Sequence, residues 1–268
     1  MDVPANERTP ENVVLHLIDI EADCLPSVAT LNPEMLEVVK AAFRVYSHFN
    51  LAQMLQAENT PAQISALEEA ITQEGRNADV PASFLLKFYL FALVGVMCGL
   101  RGAETLKGSK FLDEENGQNL MGCIKSLQQL EHAQPQAIYW SYITSRARRL
   151  DLPADNPQDL AVARLLCLTR CTRELKQMLQ DAWNALSPED RAVLVNHFLA
   201  DGIKERAIVF EFLPAFFANS KNNDVIGWKG ALTLFVEHVA FVNAHLPTDV
   251  ADTYLCRVNL SDVAFFAE

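Results

Sequence analysis

Residues 83–100, Ser-Phe-Leu-Leu-Lys-Phe-Tyr-Leu-Phe-Ala-Leu-Val-Gly-Val-Met-Cys-Gly-Leu, carry a single charge, Lys87. The run shows no alternation of period two and is dominated by Leu, Ala, Phe and Met, so it reads as a helix that is apolar nearly all round. In water such a helix is stable only when other elements cover every side. The sequence therefore predicts an all-α fold built around a buried central helix over residues 83–100, with roughly nine to eleven helices in an irregular bundle or a stack of helical hairpins.

A bilayer crossing is the competing reading of that stretch. After Lys87 about 13 uninterrupted apolar residues remain, short of the roughly 20 that a crossing needs, and Arg101 follows soon after. No membrane span is expected. Met1 to Arg8 has neither the positive region nor the apolar run of a secretory signal. The six cysteines form no C-x-x-C pair and sit mostly in apolar runs, which points to reduced thiols and a cytoplasmic protein.

The net charge of −12 over 268 residues argues against nucleic acid, whose binding needs a basic face to release counterions, and against an anionic membrane surface. The charge is uneven. The first 40 residues hold eight acids against Arg8 and Lys40, whereas residues 144–176 hold seven cations against four acids.

Helix starts are strongly punctuated. Thr9-Pro10, Asn32-Pro33, Thr60-Pro61, Asn156-Pro157 and Ser187-Pro188 each place a capping side chain before a proline. The capping oxygen satisfies an N–H of the first turn, and proline's missing donor costs nothing there. Val13 to Ile20 is β-branched enough that either helix or strand stays open. Residues 204–218 read as helix split by Pro214. Asp151-Leu-Pro-Ala-Asp-Asn-Pro157 is the best linker, dividing the chain into an N-terminal helical subdomain, 1–150, and a C-terminal one, 151–268, or joining them in one continuous domain. The capped starts recur at no fixed period, so a regular solenoid is not supported.

Glycine-rich phosphate loops, G-x-S-x-G and H-E-x-x-H are all missing from the sequence. Two weaker constellations remain. His197 and Asp201, four apart on one helix face, could chelate a divalent transition metal together with His238 or His245. The latter two lie seven residues apart, about 10.5 Å along a helix, so only one of them would join. Arg146, Arg148 and Arg149, with Arg101 from the Gly99–Lys110 loop, could hold a phosphate or carboxylate through their guanidinium forks. Against both stand plainer roles: a helix C-terminus for His197, internal pairing or a solvated face for the arginines.

The leading expectation is a non-catalytic protein-interaction or scaffold module that needs no cofactor and takes another protein as partner. The alternatives are a metal-dependent hydrolase acting on a phosphorylated substrate and a carrier whose aromatic helices enclose an apolar ligand. Whether the chain is an enzyme, and its oligomeric state, stay open at this point.

Overall fold

The computed structural model describes residues 9–21, 24–58, 61–100, 112–169, 173–200, 207–245 and 255–266. Helix makes up 78% and strand 4%. In chain order the helices among the described residues are α1 (Pro10–Glu21), α2 (Pro26–Ala29), α3 (Pro33–His48), α4 (Leu51–Leu55), α5 (Pro61–Asn77), α6 (Ala82–Gly99) and α7 (Glu114–Leu127). A single 3-10 turn, Gln128–Glu131, leads on to α8 (Pro135–Arg149), α9 (Pro157–Leu168), α10 (Arg173–Asn184) and α11 (Pro188–Leu199). Strand β1 (Ala207–Glu211), helices α12 (Leu213–Ser220) and α13 (Gly227–His245), strand β2 (Leu255–Asn259) and helix α14 (Ser261–Phe266) complete the chain.

The N-termini form as the local sequence dictates. Asn32 Oδ1 accepts from the Met35 N–H at 2.8 Å, Asn156 Oδ1 from the Asp159 N–H and Ser187 Oγ from the Asp190 N–H, each at 3.0 Å. Proline stands in the first turn of all three helices. Thr9 Oγ1 accepts from the Asn12 N–H at 3.3 Å, and residues 13–20 are helix. Thr60 lies outside the described residues.

The chain divides into two compact units, and no single cut separates them. One comprises residues 1–51 and 65–132, the other 52–64 and 133–268. The boundary expected at Asp151–Pro157 falls inside the second unit. The polar linker is a tight corner instead: Lys176 Nζ donates to the Leu150 and Asp151 carbonyls at 2.7 and 3.0 Å, and Leu152 is buried. Helices α8 and α9 pack against each other across it.

In the first unit α1 packs on α3, and α3 on α6. Helix α6 forms where the sequence places it, but the expected burial on every side does not occur. Leu85, Leu86, Tyr89, Leu90, Leu93 and Met97 are buried, while Phe84, Phe91, Val96 and Leu100 are 45, 77, 40 and 52% exposed.

The helix buried all round is α9, in the second unit. Leu160 to Leu168 are nine consecutive buried residues, and α8, α10, α11 and α12 all pack on them. Ala161 and Ala163 are fully buried and let neighbouring backbones come close, and the single charge in the run, Arg164, is held by backbone carbonyls as described below.

Residues 204–218 also depart from expectation. Ile208-Val-Phe210 is a β-favouring run, and it forms β1, which pairs parallel with β2 in the register Ala207↔Leu255 to Glu211↔Asn259. Pro214 does not kink a helix; it sits in the first turn of α12, after Phe212 turns the chain at φ 67°. A parallel partner more than 40 residues away leaves no trace in the local pattern.

Candidate functional site

Three groups of side chains stand out: the arginines of residues 144–176, the histidines, and the bare side of α6.

The arginines do not form one solvent-facing patch. Arg164 is 3% exposed, with no carboxylate among the ion pairs of the described residues. Its Nε donates to the Ala57 carbonyl at 2.8 Å, Nη1 to Phe198 at 2.5 Å and Nη2 to Glu58 at 2.9 Å. The guanidinium also lies over the Tyr139 and Phe198 rings, 5.5 and 5.0 Å from their centroids. Arg146 Nη1 donates to the Leu55 carbonyl at 2.8 Å and to Tyr142 Oη at 3.0 Å.

These acceptors share a feature. Leu55 ends α4, Ala57 and Glu58 follow it directly, Phe198 lies in the last turn of α11, and the Leu150 carbonyl taken by Lys176 caps α8. The final carbonyls of a helix lack intrahelical donors and carry the negative end of its dipole. Three cations from the basic stretch satisfy three such ends. Arg146 is thus committed to backbone. Arg148 and Arg149 are exposed in the last turn of α8, and Arg101 lies outside the described residues. The same arginines act on Cys167: burial pushes its thiol pKa up, against the opposing pull of Arg146, Arg164 and Arg149.

His197 is 4% exposed, its ring 5.4–5.6 Å from those of Phe198, Phe210 and Phe235. His238 Nδ1 lies 2.6 Å from the Leu234 carbonyl. His245 Nδ1 lies 2.8 Å from the Phe241 carbonyl, with its ring stacked on Phe241. Each thus spends a ring nitrogen on its own helix. Asp201 lies outside the described residues, and among those described no three His, Cys, Asp or Glu side chains are grouped to hold an ion.

A family model described as a family of unknown function (DUF6829) matches residues 5–244. The chain belongs to that family. No curated protein and no solved structure matches it. The DUF6829 match takes in every helix from α1 to α12 and nearly all of α13, while β2 and α14 lie beyond it.

Within this DUF6829 chain the bare side of α6 is the most pronounced surface feature. At 3.6 residues per turn, positions 84, 88, 91 and 95 share one side of the helix, opposite buried Leu86, Leu93 and Met97. Phe84 and Phe91 are exposed there and Phe88 is half-buried. Gly95 and Gly99 continue the strip, and a Cβ added at either would meet nothing within 4 Å, so the backbone itself is uncovered. Lys87 borders the strip and pairs with Glu131 at 3.3 Å. Taking about 200 Å² as the full area of a large side chain, Phe84 and Phe91 expose about 250 Å² of apolar surface along this strip; Val96 and Leu100 are exposed on other sides of the helix. By length and composition α6 is also apolar enough to cross a membrane, with 33% of the 18-residue window buried. The stretch that suggests a fully buried core helix in the sequence is thus only partly covered.

Proposed function

We propose that this chain is a helical protein-interaction module, acting in the cytoplasm, with α6 as its docking face and an apolar helix of a partner protein as the occupant. The observation that carries the reading is the 77% exposure of Phe91 at the centre of an otherwise apolar strip. Aromatic anchors flanked by small residues are what a helix-in-groove contact uses: the rings supply area and the glycines allow close backbone approach. An anionic membrane is a poor occupant for a protein of net charge −12. The described cysteines are all free, which supports a reducing compartment.

The test compares proteins recovered from native extract by the wild-type chain and by Phe91→Asp. The variant should fold with unchanged melting temperature, because its side chain lies in solvent, and should lose the recovered partner. Identical recovery by both would overturn the assignment of the face.

A further inference from the structure

The strip of α6 has a pattern that the fold itself does not explain. Gly95 and Gly99 lie in a regular helix, neither has the positive φ that calls for glycine, and Leu100 closes the helix with ordinary right-handed geometry. A Cβ at either position would meet nothing within 4 Å, so no neighbour within the described chain needs them small. Glycine is a poor helix former, and alanine would serve the monomer better at both sites. Their smallness is of use to something outside the monomer.

The rest of the strip is large. Phe84, Phe88 and Phe91 occupy its first half, and Gly95 and Gly99 its second. Phe84 and Gly99 are equidistant from a point between Phe91 and Ala92, and so are Phe88 and Gly95. A copy of α6 laid antiparallel about a two-fold axis at that point sets Phe84 over the partner's Gly99 and Phe88 over the partner's Gly95. Symmetry then makes both contacts again in return. Phe91 lands beside the partner's Ala92. A parallel copy would instead crowd ring on ring at one end and leave glycines facing across a gap at the other.

We infer that the occupant of the α6 face is the α6 of a second copy, packed antiparallel with its rings seated on glycines. This rests on the reading of α6 as a docking face and names the partner. The area supports it. Phe84 and Phe91 offer about 250 Å² per chain, well below the roughly 800 Å² per partner of a stable complex. So small a strip holds a partner weakly, and a two-fold pair is the arrangement that uses each contact twice. The dimer is therefore reversible, with a dissociation constant of about 0.1 mM. Two copies of net charge −12 repel each other, whereas the strip holds no acid, so the pair should tighten as salt screens the repulsion.

Sedimentation equilibrium of the full chain, from about 5 µM to about 1 mM, reads the association. Gly95→Phe puts a ring where the partner's Phe88 should sit and should weaken the dimer at least about tenfold. Its fold should be unchanged, because the new side chain enters open space. Phe88→Ala should weaken the dimer as well. Mixed one to one, these two variants should pair again, since every ring once more faces a small residue. If half-buried Phe88→Ala does not fold, Phe84→Ala mixed with Gly99→Phe makes the same test at the outer contact. A chain that stays monomeric to about 1 mM, a dimer indifferent to Gly95→Phe, or a mixture no tighter than Gly95→Phe alone would each overturn the inference. A monomer that still recovers a foreign protein through Phe91 overturns only the self-pairing and leaves the docking face in place. A dimer indifferent to both Gly95→Phe and Phe91→Asp removes α6 as the face altogether.

Discussion

Replacing Arg164 with Met tests whether the guanidinium, and not merely its volume, holds the second unit together. The side chain donates three hydrogen bonds to backbone carbonyls and is almost fully buried. Hydrogen bonds that involve a charged group are worth about 1.5–3 kcal/mol each, so three give a gross figure of about 4.5–9 kcal/mol. Two effects reduce it. Methionine no longer incurs the desolvation of a guanidinium, a cost of several kcal/mol. The Phe198 carbonyl also keeps its bond from Tyr139 Oη at 2.9 Å, whereas the Ala57 carbonyl loses its donor. The net expectation is a loss of about 3–4 kcal/mol, within the range for breaking a buried charged network. Arg164→Lys should be at least as damaging, since one ammonium on a shorter stem cannot reach three diverging carbonyls and the buried charge remains. Denaturant unfolding gives the magnitude, and amide hydrogen exchange at residues 55–58 shows whether the α4 end is released. A loss below about 1 kcal/mol for Met with unchanged exchange at 55–58 would refute the assignment.

Other outcomes follow from the same structure. Ala163→Leu, at a fully buried position of α9, should cost about 1–3 kcal/mol by overpacking, whereas Ala92→Leu on half-buried α6 should stay within about 0.5 kcal/mol; equal costs would contradict the placement of the core. Above about pH 9 stability should fall. Burial raises the pKa values of Tyr89 and Cys167 in the folded chain, and bonds to Asp19 and Glu37 raise that of Lys40 against its partial desolvation. The unfolded chain thus gives up these protons first and binds fewer of them, so the free energy of unfolding declines as pH rises through the ordinary thiol, phenol and ammonium values. Tyr89→Phe should flatten part of that slope between about pH 10 and 11, read as denaturation midpoint against pH. Finally, a strong chelator should leave the melting temperature unchanged, and elemental analysis that found stoichiometric transition metal would reverse that expectation.

The helical class was legible because helices announce their starts locally. Asn32, Asn156 and Ser187 each reach an N–H only three residues on, so spacing alone reveals them. Which apolar helix lies at the centre was not legible. Composition favours α6, whose Phe and Leu side chains give the higher hydropathy, yet bulk is not burial. In α9 the alanines allow four helices to close in, and Arg164 breaks the apolar run in the very place where the chain is most enclosed. Mean hydropathy ranks a helix by what its side chains avoid, and packing ranks it by what its neighbours can reach. The bare strip of α6 carries only a faint signal in the sequence: Gly95 and Gly99 share a side with Phe84 and Phe91, and glycine offers a core neighbour no side chain to pack against.

The ends of helices show the same asymmetry more sharply, and it explains why the arginines read as a patch. A helix N-terminus is satisfied by the residue beside it; the C-terminal carbonyls here are satisfied from far away. Arg146 reaches Leu55 across 91 residues, and Arg164 reaches Glu58 and Ala57 across 106 and 107. A carbonyl belongs to every residue and so has no sequence signature, which leaves its arginine looking unpartnered wherever only acids are counted as partners. Segment 52–64, which includes these acceptors, clusters with residues 133–268 and not with its flanks in sequence. Cations on its carbonyls give a physical reason for that grouping. The charge excess at 144–176 is therefore in part a record of where one unit takes in a stretch of chain from between two segments of the other, and Arg164→Met tests that account along with the bond energies.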